Sequence, residues 1–203
     1  MDGQPRFAAF TDERNWCGGF YELDIELGAP DDARLERALS ALCQVSGVER
    51  WYASKDREPA DQTPVPVTLA AFAESNHLYS TIRLPGGATV VCGCFVSRGE
   101  DGPDRLDFYL PLGALARTDR RIGGFPFGPS GGEGSLTWRN ELDGWLAGLA
   151  IALFGRVPFR LAVLGFEPDV VESADLAGGL PAERWDGYVL PGGDGPRYVP
   201  ANR

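Results

Sequence analysis

The sequence holds one histidine, His77, one lysine, Lys55, and no long apolar run. With a single imidazole, any Ser-His-Asp or Cys-His arrangement must pass through His77. No Gly-x-Ser-x-Gly elbow is present to support one. The glycine-rich stretch from Gly128 to Ser135 has the flexibility of a phosphate loop. It lacks the P-loop lysine, no strand leads directly into it, and Glu133 would repel phosphate. The most apolar segment, Leu142 to Phe154, is too short to span a bilayer and contains Asp143. Met1 to Phe10 lacks the apolar centre of a signal peptide. Four cysteines, Cys17, Cys43, Cys92 and Cys94, then read as reduced thiols, and a cytoplasmic location is expected. The scarcity of lysine beside abundant Arg, Ala, Gly and Pro reads as the codon bias of a GC-rich, bacterial genome.

What the chain has in excess is acid: 29 Asp and Glu against 19 Lys and Arg, a formal net charge of −10. Such a surface is repelled by phosphate backbones and anionic membranes. Basic residues cluster only weakly, at Arg117, Arg120 and Arg121, so neither nucleic acid nor membrane is expected as a partner. A basic protein partner is favoured, because complementary fields speed association. The 203 residues suit one domain spanning 1–203, large enough to bury a core without staples. The Gly/Pro-rich tail 178–203 is expected to wrap the surface.

Phe20 to Leu27 alternates: Tyr21, Leu23, Ile25 and Leu27 point one way, Glu22, Asp24 and Glu26 the other, the period of a half-buried strand. Pro30, Asp31 and Asp32 open a helix on which Leu35, Ala38, Leu39, Leu42 and Cys43 follow helical spacing up to Gly47. Val48 to Ala53 and Val67 to Ala73 read as strands around a polar, proline-containing loop. His77 to Leu84 and Ala88 to Ser97 read as a hairpin about Gly86-Gly87. Leu106, Phe108 and Leu110 alternate on a further strand closed by Pro111. After a glycine-rich loop, Leu142, Trp145, Leu146, Leu149, Ala150, Leu153 and Phe154 form a helical apolar stripe ended by Gly155 and Pro158. Phe159 to Phe166, apolar throughout, reads as a central strand. Trp185 to Leu190 and Arg197 to Val199 pair as a small hairpin. The order predicts an α+β fold: a mainly antiparallel sheet with two amphipathic helices packed on one face.

Two constellations carry the functional expectations. The first is the row Glu22, Asp24, Glu26, with neighbouring carboxylates ~6.6 Å apart along the strand. Like charges so placed need compensation. They pair with arginines of neighbouring strands, such as Arg50 or Arg83, or form a docking face for a basic partner, or hold a divalent metal. The second is His77 with Cys92 and Cys94. A two-residue turn at Gly86-Gly87 sets Tyr79 opposite Cys94 and Thr81 opposite Cys92, with His77 diagonal to Cys94 on the same face. That is a soft-metal or thiol arrangement with short cysteine spacing for zinc; otherwise the thiols are small buried hydrophobes. Lesser candidates are the carboxylate pairs Asp104/Asp107 and Glu141/Asp143 for acid–base work. The aromatics Phe125, Phe127 and Trp138 either pin the glycine loop or anchor a partner. No motif calls for a cofactor. The leading expectation is a non-enzymatic, immunity- or antitoxin-like protein whose acidic face meets a basic partner. The alternative is a small hydrolase or metal enzyme centred on His77, Cys92 and Cys94. Oligomeric state is not legible.

Overall fold

The computed structural model describes residues 9–99, 102–122 and 131–203. Among them seven strands form one wholly antiparallel sheet: β1 Phe20–Gly28, β2 His77–Arg83, β3 Thr89–Arg98, β4 Asp104–Pro111, β5 Leu161–Phe166, β6 Gly187–Leu190 and β7 Arg197–Val199. Their spatial order is β2-β3-β4-β1-β5-β6-β7. The helices are α1 Asp32–Ser46, α2 Leu69–Ser75, α3 Leu112–Ala116 and α4 Leu136–Phe154. This is the α+β architecture expected from the element order. No described helix is long and apolar enough to cross a membrane.

The inward row Tyr21, Leu23, Ile25 and Leu27 is buried and shares one core with Leu35, Ala38, Leu39 and Leu42 of α1 and Leu142, Leu146, Leu149 and Leu153 of α4. Both helices therefore lie on the same face of the sheet. α1 starts where Asp31 accepts a hydrogen bond from the Arg34 backbone N–H at 3.0 Å and ends at Gly47. α4 begins six residues ahead of the apolar stripe read from sequence. It carries Arg139, fully buried, whose Nε donates to the Tyr21 hydroxyl at 3.2 Å. Tyr21 donates in turn to Asp143, one helical turn after Arg139. The same guanidinium donates to the carbonyls of Trp185 and Arg203, which ties the C-terminal segment to α4.

Two predicted strands are something else. Thr68 accepts a hydrogen bond from the Ala71 N–H and caps the helix α2, where a strand was expected over Val67 to Ala73. The run Leu69-Ala70-Ala71-Phe72-Ala73 is made mostly of strong helix formers. Val48 to Ala53 forms no strand and makes only isolated bridges, Trp51 with Val65 and Tyr52 with Tyr79. The carboxyl-side hairpin does form, as β6 with β7, and it extends the main sheet at its far edge. Phe125 and Phe127 lie outside the described residues; Trp138 is buried in the core.

Candidate functional site

The outer face of the sheet, turned away from α1 and α4, gathers most of the chemistry. Register with β1 sets Tyr109 opposite Glu22, Asp107 opposite Asp24 and Arg105 opposite Glu26. Register with β3 sets Gly93, Phe95 and Ser97 beside the same three residues of β4. One face thus carries Glu22, Asp24, Glu26, Arg105, Asp107 and Tyr109 across two adjacent strands.

The segment after β5 folds over part of this face. Val171, Leu176 and Leu180 pack on Leu161, Val163 and Tyr188. Ser173 gives its backbone N–H and its hydroxyl to the Glu26 carboxylate at 2.6 and 2.9 Å, and Arg160 stands 3.9 Å away. Glu26 is therefore buried and fully partnered. Arg105 reaches the carbonyl of Val171 at 2.6 Å and forms an ion pair with Asp24. The arginines paired with the acidic row are Arg105 of β4, with Asp24, and Arg160, with Glu26, in place of the Arg50 or Arg83 suggested by sequence.

One guanidinium does not balance the centre of the face. Asp24 Oδ1 is buried with no hydrogen-bond partner. Asp107 is 5% exposed, and its carboxyl makes no hydrogen bond or ion pair among the described residues. Burial, with Asp24 and Glu22 close by, holds the Asp107 carboxyl well above the usual range, and Arg105 only partly offsets this. Burial raises Asp24 to about 6 against the pull of Arg105. Burial and then Asp24 raise Glu22 to about 7. Glu22 is less buried than Asp24 and Asp107. Among the described residues no group of three or more His, Cys, Asp or Glu is arranged to hold a metal ion.

Aromatic rings wall the other side. Phe20 and Tyr109 have centroids 4.4 Å apart, His77 and Phe95 4.8 Å. The Tyr109 hydroxyl lies 3.1 Å from His77 Nδ1. Tyr109 lies flat over Gly93: a Cβ there would come within 2.2 Å of the ring. That contact explains the glycine between the two cysteines. Gly93→Ala is expected to cost about 2 kcal/mol, the scale of overpacking, read as a lower urea midpoint with unchanged slope. A midpoint within experimental error of wild type would show that the ring is free to move.

The His77, Cys92 and Cys94 arrangement is not assembled. The β2–β3 loop is the three-residue Pro85-Gly86-Gly87, with Gly87 at φ 85° and the N–H of Leu84 bonded to the carbonyl of Ala88. The sequence reading assumed two residues. The pairing is consequently shifted by one: Leu78 faces Cys94, Ser80 faces Cys92 and His77 faces Phe95. A one-residue slip exchanges faces. Both cysteines point into the core, where burial raises their thiols, while His77 stands on the outer face. The lesser carboxylate pairs also separate. Asp104 is buried against Arg98 at 2.5 Å, on the opposite side of β4 from Asp107. Glu141 is exposed while Asp143 is buried.

Asp107 is the member of the outer cluster that sequence reasoning left out of the acidic row. The signal was present: Leu106, Phe108 and Leu110 alternate inward, so Arg105, Asp107 and Tyr109 must alternate outward. No protein family, characterised protein or solved structure matches the chain.

Proposed function

We propose that this chain is a non-catalytic binding protein that takes a cationic side chain of a basic protein partner onto the outer face of its sheet. One observation carries the reading: the carboxyls of Glu22, Asp24 and Asp107 crowd beside one guanidinium, that of Arg105, which pairs with Asp24, and Asp24 Oδ1 is buried without a hydrogen-bond donor. An arginine or lysine head arriving beside Glu22 brings the missing donors and charge. The net charge of −10 favours encounter with such a partner. A protein of the immunity or antitoxin kind, masking a cationic site on its target, is one form this role takes; that form is supported by size and charge alone.

A hexa-arginine peptide is the defined probe. Calorimetric titration at pH 7.5 should show binding that weakens as salt rises. Glu22→Gln should lower the affinity about fivefold, equivalent to ~1 kcal/mol. Asp194→Asn, an exposed charge remote in sequence from the face, should change it less than about twofold. Equal affinity for wild type and Glu22→Gln would mean the peptide follows net charge, not this site.

A further inference from the structure

The carboxyls of the outer face stand beside an aromatic wall. Phe20 and Glu22 are two apart on β1 and therefore share the outer face. Tyr109 of β4 pairs with Glu22, and its ring centroid lies 4.4 Å from that of Phe20. Behind Tyr109 the wall continues into His77 and Phe95, with centroids 5.7 and 6.0 Å from the Tyr109 ring. Tyr109 is 1% exposed, and its hydroxyl lies 3.1 Å from His77 Nδ1, on the side away from β1. Phe20 is the partly exposed ring of the pair, and it is the aromatic residue on the same strand as Glu22 and Asp24.

The acceptors next to Phe20 are spread out. Asp24 Oδ1 is buried without a donor, and Glu22 follows it ~6.6 Å along the strand. On the β5 side Glu22 pairs with Gly165, and the Asp186 carboxylate occupies the place that a Gly165 Cβ would take. Glu167 gives its backbone N–H to the Phe20 carbonyl at 3.0 Å, and its charge acts on Glu22. A lysine ammonium is a compact, strongly hydrated point charge, so it serves one of these acceptors at a time and sheds its water at high cost. A guanidinium spreads five N–H groups over a rigid plane and is more weakly hydrated. Its flat face lies on an aromatic ring while its edge donates to carboxylates. A quaternary ammonium also stacks on a ring, but it has no N–H for Asp24 Oδ1.

Granted the cation-binding role proposed above, we infer that the side chain this face accepts is arginine, with its guanidinium plane on the Phe20 ring and its edge turned to Glu22 and Asp24 Oδ1. Phe20 then separates arginine from lysine.

Hexa-arginine and hexa-lysine carry equal charge, so the ratio of their affinities reports the ring and the donors, not the overall field. In calorimetric titrations at about 0.15 M salt, wild type should prefer hexa-arginine about fivefold, the size of a cation–π contact. Phe20→Leu keeps an apolar side chain beside Tyr109. It should weaken hexa-arginine to the level of hexa-lysine and leave hexa-lysine unchanged. Phe20→Tyr keeps a ring and should keep the preference. A hexapeptide of trimethyl-lysine, which stacks but cannot donate, should bind wild type no better than hexa-lysine does. Equal affinity for hexa-arginine and hexa-lysine in wild type, or equal weakening of both by Phe20→Leu, would overturn the arginine assignment. Tighter binding of the trimethyl-lysine peptide would overturn the role of the donors. In either case a loss of both peptides' affinity in Glu22→Gln would leave the acidic site standing. Binding of both peptides that ignores Glu22→Gln would overturn the site and the arginine assignment together.

Discussion

Replacing Arg139 with alanine is expected to destabilise the fold by about 3–5 kcal/mol at pH 8, the scale for removing one partner of a buried ion pair. Arg139 is fully buried, and its guanidinium serves several acceptors at once: the Tyr21 hydroxyl, Ser135 Oγ, and the carbonyls of Trp185 and Arg203. Asp143 lies 3.9 Å away. Without the arginine, Asp143 is a buried carboxylate facing one phenol, and the segment before β6 loses its anchor to α4. Burial already raises Asp143 to about 6, although Tyr21 and Arg139 pull it down. Removing Arg139 raises it further, so the damage should shrink at pH 5, where the carboxyl accepts a proton. Asp143→Asn in the Arg139→Ala background should recover part of the loss at pH 8 by the same logic. Urea unfolding of the two single variants and the double variant, at pH 5 and pH 8, measures all of this. A loss below 1 kcal/mol, or one independent of pH, would refute the network as drawn.

That network could not be read from the chain, and the reason is physical. Arg139 and Asp143 are four apart on one helix, which sequence shows. Their common partner Tyr21 is 118 residues from Arg139, and only the packing of α4 on β1 brings them together. The same division runs through the outer face. The alternation of β1 was legible because period two is a local property, and so were the Asp31 cap and the apolar face of α1. The neighbour of β1 was not, since antiparallel pairing with β4 joins residues about eighty positions apart. Arg105 and Asp107 were visible as outward residues of their own strand but could not be assigned to Glu22 and Asp24. The hairpin failed for a smaller reason. Including Pro85 in the turn, or leaving it out, changes the loop by one residue, and that single residue decides whether His77 shares a face with Cys92 and Cys94. Thr68 was a readable cap, and the β-branched and apolar residues around it hid it.

Stability should fall by several kcal/mol between pH 5 and pH 8, because the fold holds several carboxyls in surroundings that favour the neutral form. Glu22 is raised to about 7, Asp24, Asp143 and Asp186 to about 6, and Asp107 well above its usual value, with burial the first cause in each case. In the unfolded chain these groups ionise near pH 4. Between about pH 4 and pH 7 the folded chain therefore keeps protons that the unfolded chain has released, and each further step up in pH favours unfolding. Groups lowered by arginine partners, Asp104 and Asp119 among them, contribute in the opposite sense, and their contribution is lost only as pH falls below about 4. Maximum stability is expected near pH 4. Two substitutions on the outer face should move the curve in opposite directions. Asp107→Asn removes the unpartnered carboxyl and offers an amide donor toward Asp24 Oδ1, so it should add about 1–2 kcal/mol at pH 8 and flatten the decline. Asp24→Asn leaves Arg105 buried without its carboxylate and should destabilise at the same pH. A flat or rising profile from pH 5 to 8 in wild type would remove the basis for both. The same protons connect stability to binding. A cation beside Glu22 favours its ionised form, so hexa-arginine binding at pH 6.5 should release protons. The calorimetric heat should then vary with the ionisation enthalpy of the buffer, and Glu22→Gln should remove most of that variation.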